Sequence, residues 1–273
     1  MARATSLKVL YIGDIMGKPG RQIVQKLLPD LQRKLKPDLV IAQAENVTHG
    51  KGMSPAHMRE LQAAGVQFFT GGNHTIERAA IKPLLEDPAE PVIAPINQPH
   101  VEQNWGVKAV ATPRGIVQVI SLLGTVFPRI DAPMQNPLLA IDGILKATKH
   151  GQYVARIVNF HGDWSSEKRV IGYYLDGKVS AVIGDHWHVP TADAMVLPKG
   201  TAHITDVGMC GTLHSSLGVS VSTIVARWRD GTANKNDIAD GGPYQFNAVL
   251  VDIDTTNGQA LAIEPVQKVV NDL

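Results

Sequence analysis

Disulfides, membrane spans and a one-signed electrostatic surface are all missing from this chain. It has one cysteine, Cys210, in 273 residues, so no internal disulfide can form. No apolar run approaches the roughly 20 residues that a bilayer-spanning helix needs. The start, MARATSLKVLYIGD, goes straight into a strand-like run without the long apolar segment of a signal peptide. A reducing cytoplasm is the expected compartment, with no membrane partner. Charges nearly cancel, since 26 Lys+Arg against 25 Asp+Glu leave a formal +1. Without a basic stripe, stable nucleic-acid binding is not expected, and any phosphate-bearing ligand must be held locally.

Two common catalytic signatures are absent as well. The glycines at 13–17 and 50–52 lack the spacing of a nucleotide-binding loop, which needs Gly-x-x-x-x-Gly-Lys followed by Ser or Thr. No Gly-x-Ser-x-Gly elbow makes a nucleophile of Ser165 or Ser166. These glycines instead suit close approach of backbone to a ligand.

What remains is a chain with 44% hydrophobic residues, enough for a large core, read as one domain over residues 1–273. Short apolar runs alternate with amphipathic segments. Residues 7–13 read as a buried strand, and Ile23, Val24, Leu27, Leu28, Leu31 and Leu35 fall at helical spacing before Pro37. Residues 39–44 form the next expected strand, after which Ser54 and Pro55 open a helix that ends at Gly65. Further strands are expected at 66–70, 116–123, 155–160 and 179–183, with a helix over 138–149. Residues 246–253 and 260–263 around Asn257-Gly258 predict a hairpin at a sheet edge. The fold class is α/β, layered, with mixed or paired sheets sandwiched by helices.

Polar residues stand just after these runs. Asp14 follows the first, Glu45 and Asn46 the second, and Asn73 and His74 the third; His161 and then His186 and His188 follow later ones. In α/β sheets the carboxyl ends of strands converge on a ligand crevice, so these side chains are expected to meet there. Carboxylates, amide oxygens and imidazoles suit zinc, manganese or iron, and the lack of clustered cysteines disfavours a thiolate structural site. An extended backbone at 186–188 would put both imidazoles on one side, each for a different ion. The two oxygens of Glu45 allow it to bridge ions about 3.5 to 4 Å apart.

The blocks Ile12-Gly-Asp14, Ala44-Glu-Asn46, Gly71-Gly-Asn-His74, Phe160-His161 and Gly184-Asp-His-Trp-His188 resemble the ordered motifs of the calcineurin-like metallophosphoesterases. More narrowly, the chain is similar to their bacterial YmdB-like branch, whose members act on cyclic nucleotides including 2′,3′-cyclic AMP. Residues 165–168, 191–193 and 205–209 fit that branch too. The resemblance implies two divalent or mixed-valence ions, iron or manganese ahead of zinc. Asp14, Glu45 and His188 would hold the first, with Asn46 completing it, and Glu45, Asn73, His161 and His186 the second. A hydroxide shared by the ions would be the nucleophile, and His74 the general acid. The substrate class implied is a small nucleotide phosphodiester. The wider superfamily has Asp-x-His in its first block and a bridging Asp, where this chain has Asp14-Ile-Met16 and Glu45. Both departures fit the narrower branch and leave the first ion fewer protein ligands.

Blander readings stand beside these. Asp14 also suits a helix cap, and Asn73 or Asn46 a turn. Trp187 and Trp164 are the candidates for stacking a nucleobase, with core or rim packing the other reading. His49, His57, His100, His150, His203 and His214 read as surface or structural residues, although His203 and His214 flank the Asp206 loop and its approach to the cleft. Cys210 reads as a small loop residue. A phosphomonoesterase on the same centre, or a non-catalytic regulator that binds metal and nucleotide, are the alternative functions. The apolar helical faces suit a homo-oligomer.

Overall fold

The computed structural model describes residues 5–127, 130, 132–148, 151–233 and 235–273. Residues 149 and 150, the expected end of one helix and His150, lie outside them. The chain begins with β1 (Ser6–Ile12), β2 (Asp14–Ile15), α1 (Gly17–Leu35), β3 (Leu39–Gln43), α2 (Pro55–Ala63), β4 (Phe68–Thr70) and α3 (Lys82–Glu86). Its middle holds β5 (Val107–Thr112), β6 (Gly115–Leu123), α4 (Pro137–Ala147), β7 (Ala155–His161), α5 (Ser165–Tyr174) and β8 (Ala181–Asp185). The last third adds β9 (Met195–Val196), β10 (Ala202–Ile204), β11 (Met209–Thr212), α6 (Val221–Asp230), β12 (Tyr244–Asp254) and β13 (Ala260–Val270).

Two mixed sheets result. The first runs β2-β11-β12-β1-β3-β4, with β13 paired to β12, and the second β5-β6-β7-β8-β10-β9. Within them β1, β3 and β4 are mutually parallel, as are β6, β7, β8 and β10. Parallel neighbours end on the same side, which gathers the segments after β1, β3 and β4 at one rim and the ends of β7 and β8 at the adjoining rim of the second sheet.

Alternation of side chains along each strand builds the layers. Leu7, Val9 and Tyr11 of β1 point between the sheets with Leu39 and Ile41 of β3, meeting Val117 and Val119 of β6, Ile157 of β7 and Ile183 of β8. The alternate residues Leu10 and Ile12 face outward onto Ile23, Val24 and Leu28 of α1 and Met58 and Leu61 of α2. On the second sheet, Leu122, Val158, Phe160 and Val182 pack against Ile141 and Ile144 of α4 and Ile171 of α5. The order is helix, sheet, sheet, helix. Local signals set the boundaries: Ser54 Oγ accepts the His57 amide at 3.3 Å with Pro55 behind it, and Lys36 ends α1 in a left-handed conformation.

Some expectations change. The strand expected at 179–183 lies at Ala181–Asp185, and the terminal hairpin is longer, with β12 paired to β1 as well as to β13. Cys210 sits in β11, wholly buried in the core with α1, rather than in a loop. His203 lies on β10 with its ring against Gly172 of α5, so it faces the helix layer and not the cleft, and His214 is exposed. No expectation covered β2, α3, β5, α5, α6 or β9 to β11.

Truncating the middle of the inter-sheet layer by Ile157→Ala should cost about 2–5 kcal/mol in denaturant titrations, the range for emptying a buried aliphatic site; a loss near zero would contradict this packing. Burial pushes the Cys210 thiol up to about 12. A thiol reagent at neutral to mildly alkaline pH should therefore leave the native chain unlabelled and react once it is unfolded, and stoichiometric labelling of native protein would place Cys210 elsewhere.

Candidate metal centre

The inner faces of both sheets change character at one end. Beyond the apolar layer, Tyr11, Gln43, Thr70, Ser121, Asn159, His161 and Asp185 continue the same strand faces and are all buried. Buried polar groups need partners, and here they find one another. Tyr11 Oη donates to Asp185 Oδ2 at 2.9 Å, and Asn159 Nδ2 donates to the same oxygen. Ser121 Oγ lies 2.7 Å from Asn159 Oδ1 and 3.0 Å from the Gly71 carbonyl, tying the two sheets together.

His161 is the centre of this network. Its Nδ1 is 2.7 Å from Asp185 Oδ1, while Nε2 is 3.1 Å from both Glu45 Oε1 and Asn73 Oδ1. Burial disfavours a charged ring, but the Glu45 and Asp185 carboxylates more than offset this and raise the His161 pKa well above its usual value. Burial would likewise lift Glu45, yet the His161 charge and hydrogen bond hold its carboxyl far below the ordinary range. The other Glu45 oxygen, Oε2, accepts the His74 amide at 3.1 Å. Gly72 makes this approach feasible, because a Cβ there would lie 2.2 Å from Glu45 Oε2 and 2.5 Å from His161 Cδ2.

After Asp185 the chain leaves the strand, and His186 and His188 have φ of 105° and 63°. The extended backbone expected at 186–188 is replaced by a tight turn. The turn still separates the two imidazoles, sending them to neighbouring subsites. His186 packs edge-on to His161 with centroids 4.5 Å apart, and one ligand atom from each of Glu45, His161 and His186 falls within 4.8 Å of the others. His188 Nε2 lies 3.3 Å from Asn46 Oδ1 and 3.8 Å from Asp14 Oδ1, and its Nδ1 donates to the Leu217 carbonyl at 3.0 Å. The His186 amide donates to Asp14 Oδ2 at 3.2 Å and joins the subsites. Burial lowers the pKa of both histidines, His186 to about 2 with help from the His161 charge, so both rings are neutral, the form that binds metal.

Asp14 supplies a further sign of a cation. It is fully buried, its Oδ1 has no hydrogen-bond partner, and burial together with the Asp185 charge pushes its carboxyl well above the usual range. A buried oxygen without a donor is costly, and a metal ion would satisfy it. One subsite thus offers Glu45, Asn73, His161 and His186, and the other Asp14, Asn46 and His188. Oxygen and imidazole donors with no sulfur fit manganese, iron or zinc.

The three blocks 165–168, 191–193 and 205–209 form the scaffold behind the turn. Lys168, fully buried, donates from Nζ to the carbonyls of Asp185 and Thr205 at 2.5 and 3.2 Å and to Asp206 Oδ2 at 2.7 Å. Asp206 Oδ2 also accepts the Trp187 amide at 2.9 Å, and Thr191 Oγ1 donates to Asp193 Oδ1 at 2.7 Å. Trp187 lays its ring 4.5 Å from Lys168 Nζ and donates its indole N–H to the Asp163 carbonyl at 2.8 Å. Its contacts are those of a packed residue, whereas Trp164 is 54% exposed. His74 Nδ1 lies 2.6 Å from Glu77 Oε1, which leaves Nε2 without a hydrogen-bond partner among the described residues.

Asp185 and Lys168 lie in blocks singled out from the sequence but with no role expected of them, and neither Asn159 nor Phe127, whose ring stacks on His161 at 5.8 Å, was expected at the site. For Asp185 the signal was present, since alternation with Ala181 and Ile183 puts it on the inner face. Asp185→Asn should weaken manganese binding by about 10–100-fold, the usual effect of losing a group that orients a ligand histidine. Titration of the metal-free variant checks this, and an unchanged affinity would show that Asp185 does not orient His161.

The model of the family described as YmdB-like protein matches residues 10–266. The chain is 36% identical over 267 residues to the 2′,3′-cyclic-nucleotide 2′-phosphodiesterase of Bacillus subtilis (strain 168), covering 97% of this chain and 98% of the relative. A crystal structure of a novel phosphatase from Mycoplasma pneumoniae is similar with a TM-score of 0.90 at 31% identity, over 98% of this chain and 95% of that one. A hypothetical protein from Thermus thermophilus has a TM-score of 0.87 at 36% identity, over 96% and 99% of the two chains. Agreement over nearly the full length, in sequence and in fold, includes every strand that carries the centre, and the chain belongs to the YmdB-like family.

Proposed function

We propose that the protein is a dinuclear metal-dependent phosphodiesterase that opens 2′,3′-cyclic nucleotides or similar small phosphodiesters, with residues 1–273 acting as one domain. The observation that carries this reading is the cluster of Glu45, His161 and His186 donors beside Asp14, whose buried carboxylate oxygen lacks a donor and faces His188 at 3.8 Å, the His186 amide joining the two. The Bacillus subtilis relative, a 2′,3′-cyclic-nucleotide 2′-phosphodiesterase, supports the substrate class.

Bound in the two subsites, divalent ions supply Lewis acidity toward the phosphoryl oxygens and lower the pKa of water. The protein's own part is positioning and proton transfer. Asp185 fixes the His161 ring, so that Nε2 points at Glu45 and Asn73. The Leu217 carbonyl does the same for His188, directing Nε2 toward Asp14 and Asn46. His74 is held by Glu77 on Nδ1, which leaves Nε2 to protonate the departing ribose oxygen. In the balanced reaction, a water oxygen bonds to phosphorus and the P–O bond to the ribose 2′ oxygen breaks. That oxygen takes up a proton, and the product is the 3′-phosphate. Of the two tryptophans, the exposed Trp164 is the better placed to meet a base.

His74→Ala should lower kcat by about 10²–10⁴-fold, the range for a general acid, with metal content unchanged. The test is a panel of 2′,3′-cyclic AMP, a bis-aryl phosphate and an aryl monophosphate on metal-loaded protein. Faster turnover of the monoester would favour a phosphomonoesterase, and loaded protein that binds nucleotide without hydrolysing any of the three would be a regulator.

A further inference from the structure

Beside the Asp14 and His188 subsite a groove of about 480 Å³ opens between the loop after β3 and the segment that carries α6. His49, Gly50 and Lys51 line one side, and Arg227, Lys235 and Asn236 the other. The groove shares its walls with the metal centre. On the first side, the Gly50 carbonyl accepts Asn46 Nδ2 at 3.0 Å, and Asn46 Oδ1 in turn faces His188. On the other, Leu217 holds His188 through its carbonyl, and Val219, Ile224 and Ile238 pack on Met16 and Met209. Gly50, which lines the groove, is one hydrogen bond from Asn46, which faces His188, so the groove begins within about a nucleotide's length of the subsite.

The lining is cationic in a chain that is otherwise balanced. Lys51, Arg227 and Lys235 are accompanied by His49, and no carboxylate lines the groove among the described residues. Lys51 Nζ pairs with Glu77 at 3.6 Å, outside the groove lining. Arg227 Nη2 donates to Asn236 Oδ1 at 2.9 Å, which ties the end of α6 to the loop beyond it. Next to Arg227, Trp228 is 86% exposed, and α6 buries none of its residues. Cations along a groove are what the phosphates of single-stranded nucleic acid ask for, and Trp228, outside the groove lining on the same helix, offers an exposed ring to a base that extends past it.

We propose that this groove holds the ribose-phosphate chain of an oligoribonucleotide whose 3′ end is a 2′,3′-cyclic phosphate, so that such an end, rather than a free cyclic mononucleotide, is the preferred substrate. The proposal rests on the phosphodiesterase reading above. A terminal cyclic phosphate leaves room for further chain only on its 5′ side, and a single cationic groove beyond the Asn46 and Gly50 wall would take chain of that polarity. The reaction class that supplies the substrate is RNA strand cleavage in which a ribose 2′ oxygen attacks the adjacent phosphate and the next nucleoside's 5′ oxygen leaves with a proton. Hydrolysis here then adds one water across the P–O bond to the 2′ oxygen. A short local groove of this kind gives weak, salt-sensitive grip and needs no basic stripe over the whole surface.

The test compares 2′,3′-cyclic AMP with a triadenylate ending in a 2′,3′-cyclic phosphate on the metal-loaded full chain. In low salt the triadenylate should have a kcat/KM about 10-fold higher or more, mainly through KM, and raising sodium chloride from about 50 to about 300 mM should remove most of that advantage. Combining Lys235→Ala with Arg227→Ala should bring the two substrates to within about twofold of each other. Fluorescence anisotropy of a labelled triadenylate 3′-phosphate should show the same salt dependence and the same loss in the variant. Turnover of cyclic AMP with no preference for the longer substrate overturns the groove assignment and leaves the phosphodiesterase reading intact. Turnover of neither substrate overturns that reading, and the groove assignment falls with it.

Discussion

One imidazole between two buried carboxylates organises this end of the molecule. His161 lies 2.7 Å from Asp185 on one nitrogen and 3.1 Å from Glu45 on the other, with all three side chains almost wholly out of solvent. In such surroundings an unpaired charge costs several kcal/mol, so the ionisation states of His161 and Glu45 depend on one another. Tyr11 and Asn159 complete the hydrogen bonding of Asp185, Ser121 in turn holds Asn159, and those residues stand on strands whose other inward side chains make the apolar layer. The polar cluster is therefore continuous with the core, and its geometry is as fixed as the sheets themselves.

Much of this was legible because it is written in period-two alternation and in strand ends. The runs at 7–13, 39–44 and 155–160 became β1, β3 and β7, and the polar residues after them converge as parallel strands require. The turn at 186–188 was not legible, because positive φ at two histidines follows from tertiary contacts and not from local preference. The carbonyls and carboxylate around Lys168 shape that turn, and they come from residues 185, 205 and 206, far apart in the chain. Helix α6 carries Val221, Ile224, Val225 and Trp228 at helical spacing, a signal that was there to be read, although the helix lies on the surface and contributes no buried residue.

Holding His186 and His188 in a left-handed region costs about 1–3 kcal/mol for each residue, and such strain persists only when its surroundings over-determine it. Here they do. The His186 amide is taken by Asp14, the Trp187 amide by Asp206, and the His188 ring by Leu217. A smoother backbone would have left both rings on one side of the chain, whereas the kinked one sends them to separate clusters of donors.

The donor groups are divided between the two halves of the sandwich. Asp14 in β2 and Glu45 and Asn73 after β3 and β4 belong to one sheet, whereas His161 ends β7 and His186 and His188 follow β8 of the other. A cation held by both sets, as proposed, would act as a rivet through the seam. Sliding one half against the other by a fraction of an ångström, through a mispacked aliphatic residue far from the cleft, would pull the rivet's two ends apart. Activity in this molecule is then a gauge of how well its two halves are seated, and it should fade before the fold itself comes undone.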